Sequence, residues 1–93
     1  ADATAFPHRD ALLSVQWYAG YEAGGASAAA AWIRAAKASF RPHATGGAYV
    51  NYQDAGLAGW DRAYFGANLP RLVAVKRAYD PGNVFRGRQT VHP

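Results

Sequence analysis

Two stretches decide how this chain is read: GAYVNYQD at residues 47–54 and AYFGANLPRLVAVKRAYDPGNVF at residues 63–85. The first places a phenol, a carboxamide and a second phenol at Tyr49, Asn51 and Tyr52. Each group carries a polar atom that burial must satisfy, so the run reads as a wall of a site and not as packing alone. The second stretch holds Pro70, a residue favoured in a helix's first turn, and sets Leu72, Val75 and Tyr79 on one helical stripe. It closes on Asp80-Pro81-Gly82-Asn83, a strong turn signal, after which Val84-Phe85 return to the apolar body.

Working outward, Leu13, Val15 and Trp17 alternate with Leu12, Ser14, Gln16 and Tyr18, the two-residue period of a strand. Ser27 is an N-cap candidate for a helix through Phe40, with Trp32, Ile33, Ala36 and Phe40 on one stripe and Arg41-Pro42 as its stop. Residues 48–52 read as a second short strand. Alternation then puts Tyr49 and Asn51 on one face and Val50 and Tyr52 on the other, so the two phenols are not expected side by side. A helix over 57–65 and a further one from about Pro70 complete the order strand, helix, strand, helix, helix. The expected fold class is α+β.

Composition asks whether such a chain folds alone. Alanine supplies 22 of the 93 residues, while Leu, Ile, Val and Phe together supply 16. That share is below the ~20% at which an independent core comes into doubt, and an alanine methyl buries little area at ~25 cal/mol per Å². Three Trp and six Tyr compensate, and a net charge of only +4 argues against disorder. The expectation is a piece that packs against something else. With no cysteine there is no disulfide framework and no cysteine metal site, and the compartment stays open. No apolar run approaches the ~20 residues of a membrane span, and Ala1-Asp2-Ala3 has neither the basic opening nor the apolar stretch of a signal peptide. The chain reads as soluble.

Charge is uneven: residues 62–93 hold six Arg or Lys against one acid. A nucleic-acid surface and a solvated helix face both account for this. The second is favoured, because Arg62, Arg71, Lys76 and Arg77 interleave with a helical apolar pattern and no nucleic-acid-binding fingerprint appears. His8, His43 and His92 show no metal-ligand spacing.

In wording and spacing, residues 48–85 resemble the C-terminal segment of FAD-linked oxidases of the berberine-bridge-enzyme type, within the vanillyl-alcohol-oxidase-like flavoproteins, and a looser likeness runs through 14–45. The resemblance implies that residues 1–45 end a substrate-binding domain, as strand plus helix. Residues 46–93 would then be a segment packing on an FAD-binding domain that this chain does not contain, together with the residues that attach FAD. The N-terminal remainder of the same enzyme is the implied partner. The implied reaction is oxidation of a carbohydrate, glycosylated natural product or other secondary metabolite, with hydride passing to flavin and O2 as acceptor. No activity is expected from the 93 residues alone. Abundant Ala, Gly and Arg point to a GC-rich, bacterial source.

Site residues follow from the same likeness. A tyrosine, with its ordinary pKa near ~10, serves as a base only where donors or a cation stabilise the phenolate. Tyr52 is the first choice for that base and Tyr49 the second. Asn51 suits a positioning role near the flavin, and Asn68 an approach to the cofactor. His8 and Gln16 are candidates for facing the substrate, although a lone histidine is also a common surface or structural residue. A different class stays open: a non-catalytic interaction module sharing this fold, its tyrosines acting as interface anchors.

Overall fold

Alanine, the strongest helix former, fills eight of the fifteen positions of helix α1, Ala26–Phe40, in the computed structural model, which describes residues 3–93. Ala1 and Asp2, read above for a leader, lie outside the described residues. Gly25 N–H donates to the Glu22 carbonyl at 2.9 Å, and this turn starts the helix at Ala26 with Gly25 as its N-cap. Ser27 is therefore inside the first turn and not at the cap. Trp32 and Phe40 of the expected stripe meet Trp17 edge-on, at centroid distances of 6.3 and 5.9 Å. Edge-on pairs of this kind add about 0.5–1.5 kcal/mol beyond the area they bury. A 3-10 turn at Arg41–His43 follows the helix, as Arg41-Pro42 signals.

Helix α2, Trp60–Phe65, begins three residues later than the spacing predicts. The reason is local: Asp54 accepts Gly56 N–H on its carboxylate at 2.9 Å and Leu57 N–H on its carbonyl at 3.0 Å, so residues 54–57 are held in a turn. Gly66 ends α2 at φ 51, where a Cβ would also sit 3.4 Å from the Pro7 ring. A 3-10 turn at Gly66–Asn68 leads into α3, Leu69–Tyr79, with Pro70 in its first turn. The expected turn after α3 is present, with Asn83 N–H donating to the Asp80 carbonyl at 3.0 Å.

The α+β expectation is corrected by these elements: among the described residues there are helices and no strand. Residues 12–18 form no regular element, a bend at Leu12 followed by irregular chain, with Leu12, Leu13 and Tyr18 exposed. Residues 48–52 are not extended at all, because Tyr52 N–H donates to the Tyr49 carbonyl at 3.0 Å and closes a turn. Alternation records which face a side chain prefers, whereas a strand exists only where a second segment completes its ladder.

The chain divides into two compact units, Leu12–Gly46 and the residues up to Ala11 together with Gly47–Pro93. In the first, α1 carries the aromatic cluster around Trp17. In the second, Tyr64 at 1% exposure is the buried hydrophobic residue and Asn68 the buried polar one. Val75 and Tyr79 of the α3 stripe, and Val84 and Phe85 beyond it, remain exposed. Small side chains and a one-tyrosine core match the composition.

Candidate functional site

The Tyr49–Tyr52 turn brings together what alternation would separate. The two rings meet edge-on, 5.6 Å apart at 63°, and Asn51 Nδ2 donates to the Tyr49 hydroxyl at 2.8 Å. Tyr49 is 39% exposed and Tyr52 59%, so both phenols are open to a ligand. The expectation that the phenols lie apart is thus corrected, and the physical reason is the hydrogen bond that folds 49–52 back on itself.

Three supports hold this turn. Ala48 N–H donates to the Ala63 carbonyl of α2 at 2.9 Å. On one flank, His8 Nε2–H donates to the Ala48 carbonyl at 3.0 Å, and the Phe6 ring stands edge-on to both His8, at 5.3 Å, and Tyr49, at 5.7 Å. Arg9 caps the other face of this cluster, its guanidinium 5.4 Å from the Phe6 centroid. Below, the buried Tyr64 hydroxyl accepts Asp54 N–H at 3.0 Å and donates to Gln89 Oε1 at 3.1 Å. Gln89 Nε2 donates in turn to the Asp54 carbonyl at 2.7 Å, closing a three-membered ring of bonds.

The remaining candidates sit elsewhere. Asn68 is buried, and its Nδ2 donates to the Thr4 carbonyl at 3.0 Å. Gln16 is exposed on the irregular stretch of the Leu12–Gly46 unit. Gln89 was not legible beside the turn, since it belongs to no recognisable pattern and its partners Asp54 and Tyr64 are distant in sequence. An open, mainly apolar groove of about 450 Å³ runs beside α3, lined by residues including Phe65, Leu72, Val75, Tyr79 and Phe85. Among the described residues no group of three His, Asp or Glu side chains could hold a metal ion, and no helix is long and apolar enough to cross a membrane.

The turn after α3 is the strongest electrostatic feature. The Lys76 ammonium pairs with Asp80 and also donates to the Phe85 carbonyl, while Asp80 accepts Val84 N–H at 2.7 Å and Phe85 N–H at 3.1 Å. The hydrogen bond from Lys76 is the largest influence and holds the Asp80 carboxyl below its ordinary range; burial opposes it, and the Val84 and Phe85 N–H groups and the Lys76 charge add smaller lowering effects. A lowered folded pKa means that this contribution is present above the ordinary value of ~3.9 and disappears as pH falls through the folded value. Protection of the Val84 and Phe85 amides against hydrogen exchange, corrected for intrinsic rates, is therefore expected to be unchanged from pH 7 to 5 and to fall below about pH 4. Asp80→Asn should show weaker protection at neutral pH and no such acid loss.

The turn thus sets two neighbouring, partly exposed phenols on the helical body of the second unit. The berberine and berberine-like family matches residues 48–92. An FAD-linked oxidoreductase of Bacillus subtilis is 38% identical over 99% of the chain, which covers 20% of that protein. A chitooligosaccharide oxidase of Gibberella zeae is 37% identical over 97% of the chain, and the monolignol oxidoreductase AtBBE-like 13 of Arabidopsis thaliana 34% identical over 95%. The chain spans 20% and 19% of those two proteins respectively. No solved structure matches it significantly. The chain belongs to the berberine and berberine-like family, and the relatives it matches include FAD-linked oxidoreductases.

Proposed function

We propose that this chain is the C-terminal part of an FAD-dependent oxidase that oxidises a hydroxyl of a carbohydrate or glycosylated secondary metabolite, and that it supplies the base. The observation that carries the reading is the turn that sets Tyr52 beside Tyr49, with Asn51 donating to the Tyr49 hydroxyl. A bacterial source and O2 as acceptor belong to the same proposal. The likeness to a chitooligosaccharide oxidase favours a sugar, and the exposed phenols suit the hydroxyl-rich edge of one.

In this reading Tyr52 accepts the proton of the substrate hydroxyl, and Tyr49 braces its ring. Asn51, itself exposed, keeps Tyr49 in place through the 2.8 Å bond, and its carboxamide also offers an acceptor. That donor and acceptor set suits one edge of a flavin ring, while Asn68, bonded to Thr4, shapes the body beneath. Gln16 and His8 are the candidate groups toward substrate. FAD, held by residues outside this chain, supplies the hydride acceptor when bound. The exposed Val75, Tyr79, Val84 and Phe85, with the groove beside α3, suit contact with the N-terminal remainder of the same polypeptide.

Anaerobic mixing of the complete protein with chito-oligosaccharides tests the reading. Bleaching of the flavin absorbance, followed by its return on admitting air, is the expected result. A flavin-free complete protein would instead support a binding module anchored by its tyrosines.

A further inference from the structure

The segment Phe6-Pro7-His8 is remote in sequence from the Tyr49–Tyr52 turn, yet it lies against it. His8 Nε2–H donates to the carbonyl of Ala48, the residue just before Tyr49, across forty positions of chain. The fit around that imidazole is close: a Cβ on Gly47 would lie 2.5 Å from His8 Cε1 and 2.6 Å from Nδ1, distances that real Cβ atoms do not show. Only glycine leaves room for the ring in this place. Phe6 completes the contact, edge-on to His8 on one side and to Tyr49 on the other. The same segment is anchored behind, where Pro7 packs 3.4 Å from the position a Gly66 Cβ would take, and Gly66 itself is held at φ 51.

A turn of four residues with exposed side chains has few contacts of its own to fix it. Phenols on such a turn would wander by more than the tolerance of proton transfer unless something outside the turn located it. We infer that His8 and Phe6 are positioning residues: they clamp the Tyr49–Tyr52 turn from the far end of the sequence, His8 through the Ala48 carbonyl and Phe6 through the Tyr49 ring. This rests on the reading of Tyr52 or Tyr49 as the base, and assigns to His8 a role through the turn in place of one through the substrate. Gly47 belongs to the device because its missing side chain is the seat for the imidazole.

The test uses the complete FAD-loaded oxidase. His8→Ala is expected to lower kcat about ten- to a hundredfold, with KM and bound flavin little changed, because the turn is mispositioned while the pocket keeps its shape. His8→Gln, whose side-chain N–H can still reach the Ala48 carbonyl, should restore most of kcat. Gly47→Ala should act like His8→Ala by displacing the ring. The double variant Gly47→Ala/His8→Ala should then be no worse than either single change, since the clash needs both side chains. Wild-type kcat in His8→Ala, a KM effect alone that Gln fails to rescue, or additive losses in the double variant would each overturn the clamp. Tyr52→Phe and Tyr49→Phe are the accompanying controls. If both retain turnover, the base reading fails and the clamp with it; if they lose turnover while His8→Ala does not, the clamp alone fails.

Discussion

Tyr52→Phe in the complete protein is expected, on the proposed reading of Tyr52 as base, to lower kcat by about 10²- to 10⁴-fold, the usual contribution of a positioned general base. The substitution removes one oxygen and keeps the ring, so the edge-on contact with Tyr49 at 5.6 Å survives. Tyr52 is also largely exposed and its backbone N–H, not its hydroxyl, closes the turn. Bound flavin and thermal midpoint should therefore stay at wild-type values, which separates lost chemistry from lost structure. Tyr49→Phe removes the acceptor of Asn51 Nδ2 and should cost less, about tenfold, through loosened geometry. Steady-state kinetics at saturating substrate check the ranking. A larger loss from Tyr49→Phe transfers the base to Tyr49, and full activity in both variants removes the tyrosines from the mechanism.

The largest effect on stability is expected at Tyr64. Its side chain is 1% exposed, and its hydroxyl joins the Asp54 backbone to the Gln89 carboxamide. Tyr64→Phe keeps the ring but removes the common partner of the partly buried Asp54 N–H and Gln89 Oε1, at about 0.5–1.5 kcal/mol per lost hydrogen bond. Tyr64→Ala also opens a cavity in a core that has little else, at about 3–5 kcal/mol. Denaturant midpoints of the complete protein measure both. Gln89→Ala should cost less in a Tyr64→Phe background than in the wild type, because the two share one network. Equal costs in the two backgrounds would show that the ring of bonds around Asp54 does not act as a unit.

Much of this molecule was legible in its residues because local chemistry decides it. The Arg41-Pro42 stop marks the end of α1 at Phe40, while its start at Ala26 falls two residues before the one a Ser27 cap implies, and Pro70 and the Asp80-Pro81-Gly82-Asn83 turn bracket α3. Lys76 and Asp80, four residues apart at the end of α3 and so neighbours by helical spacing alone, form the ion pair there. The strands were not readable, for a specific reason. Leu12 to Tyr18 alternates as a strand does, but a ladder needs a second segment, and none of the described residues provides one. Tyr49 to Tyr52 was misread because its alternation spans only a few residues, too short to outweigh one backbone hydrogen bond.

The sequence by itself determined the helices, the turn after α3, the family and the tyrosine and asparagine types a site would use. Those follow from propensities, capping and motif wording, all of which act over a few residues. Only the tertiary structure decided that the two phenols lie together, that Gln89 joins Asp54 and Tyr64, and that Phe6 and His8 brace the turn. Each of these contacts either closes a fold of the backbone that periodicity does not encode or bridges residues 25 to 43 positions apart. Such pairings depend on which surfaces remain uncovered once the helices have formed, and that is settled by packing.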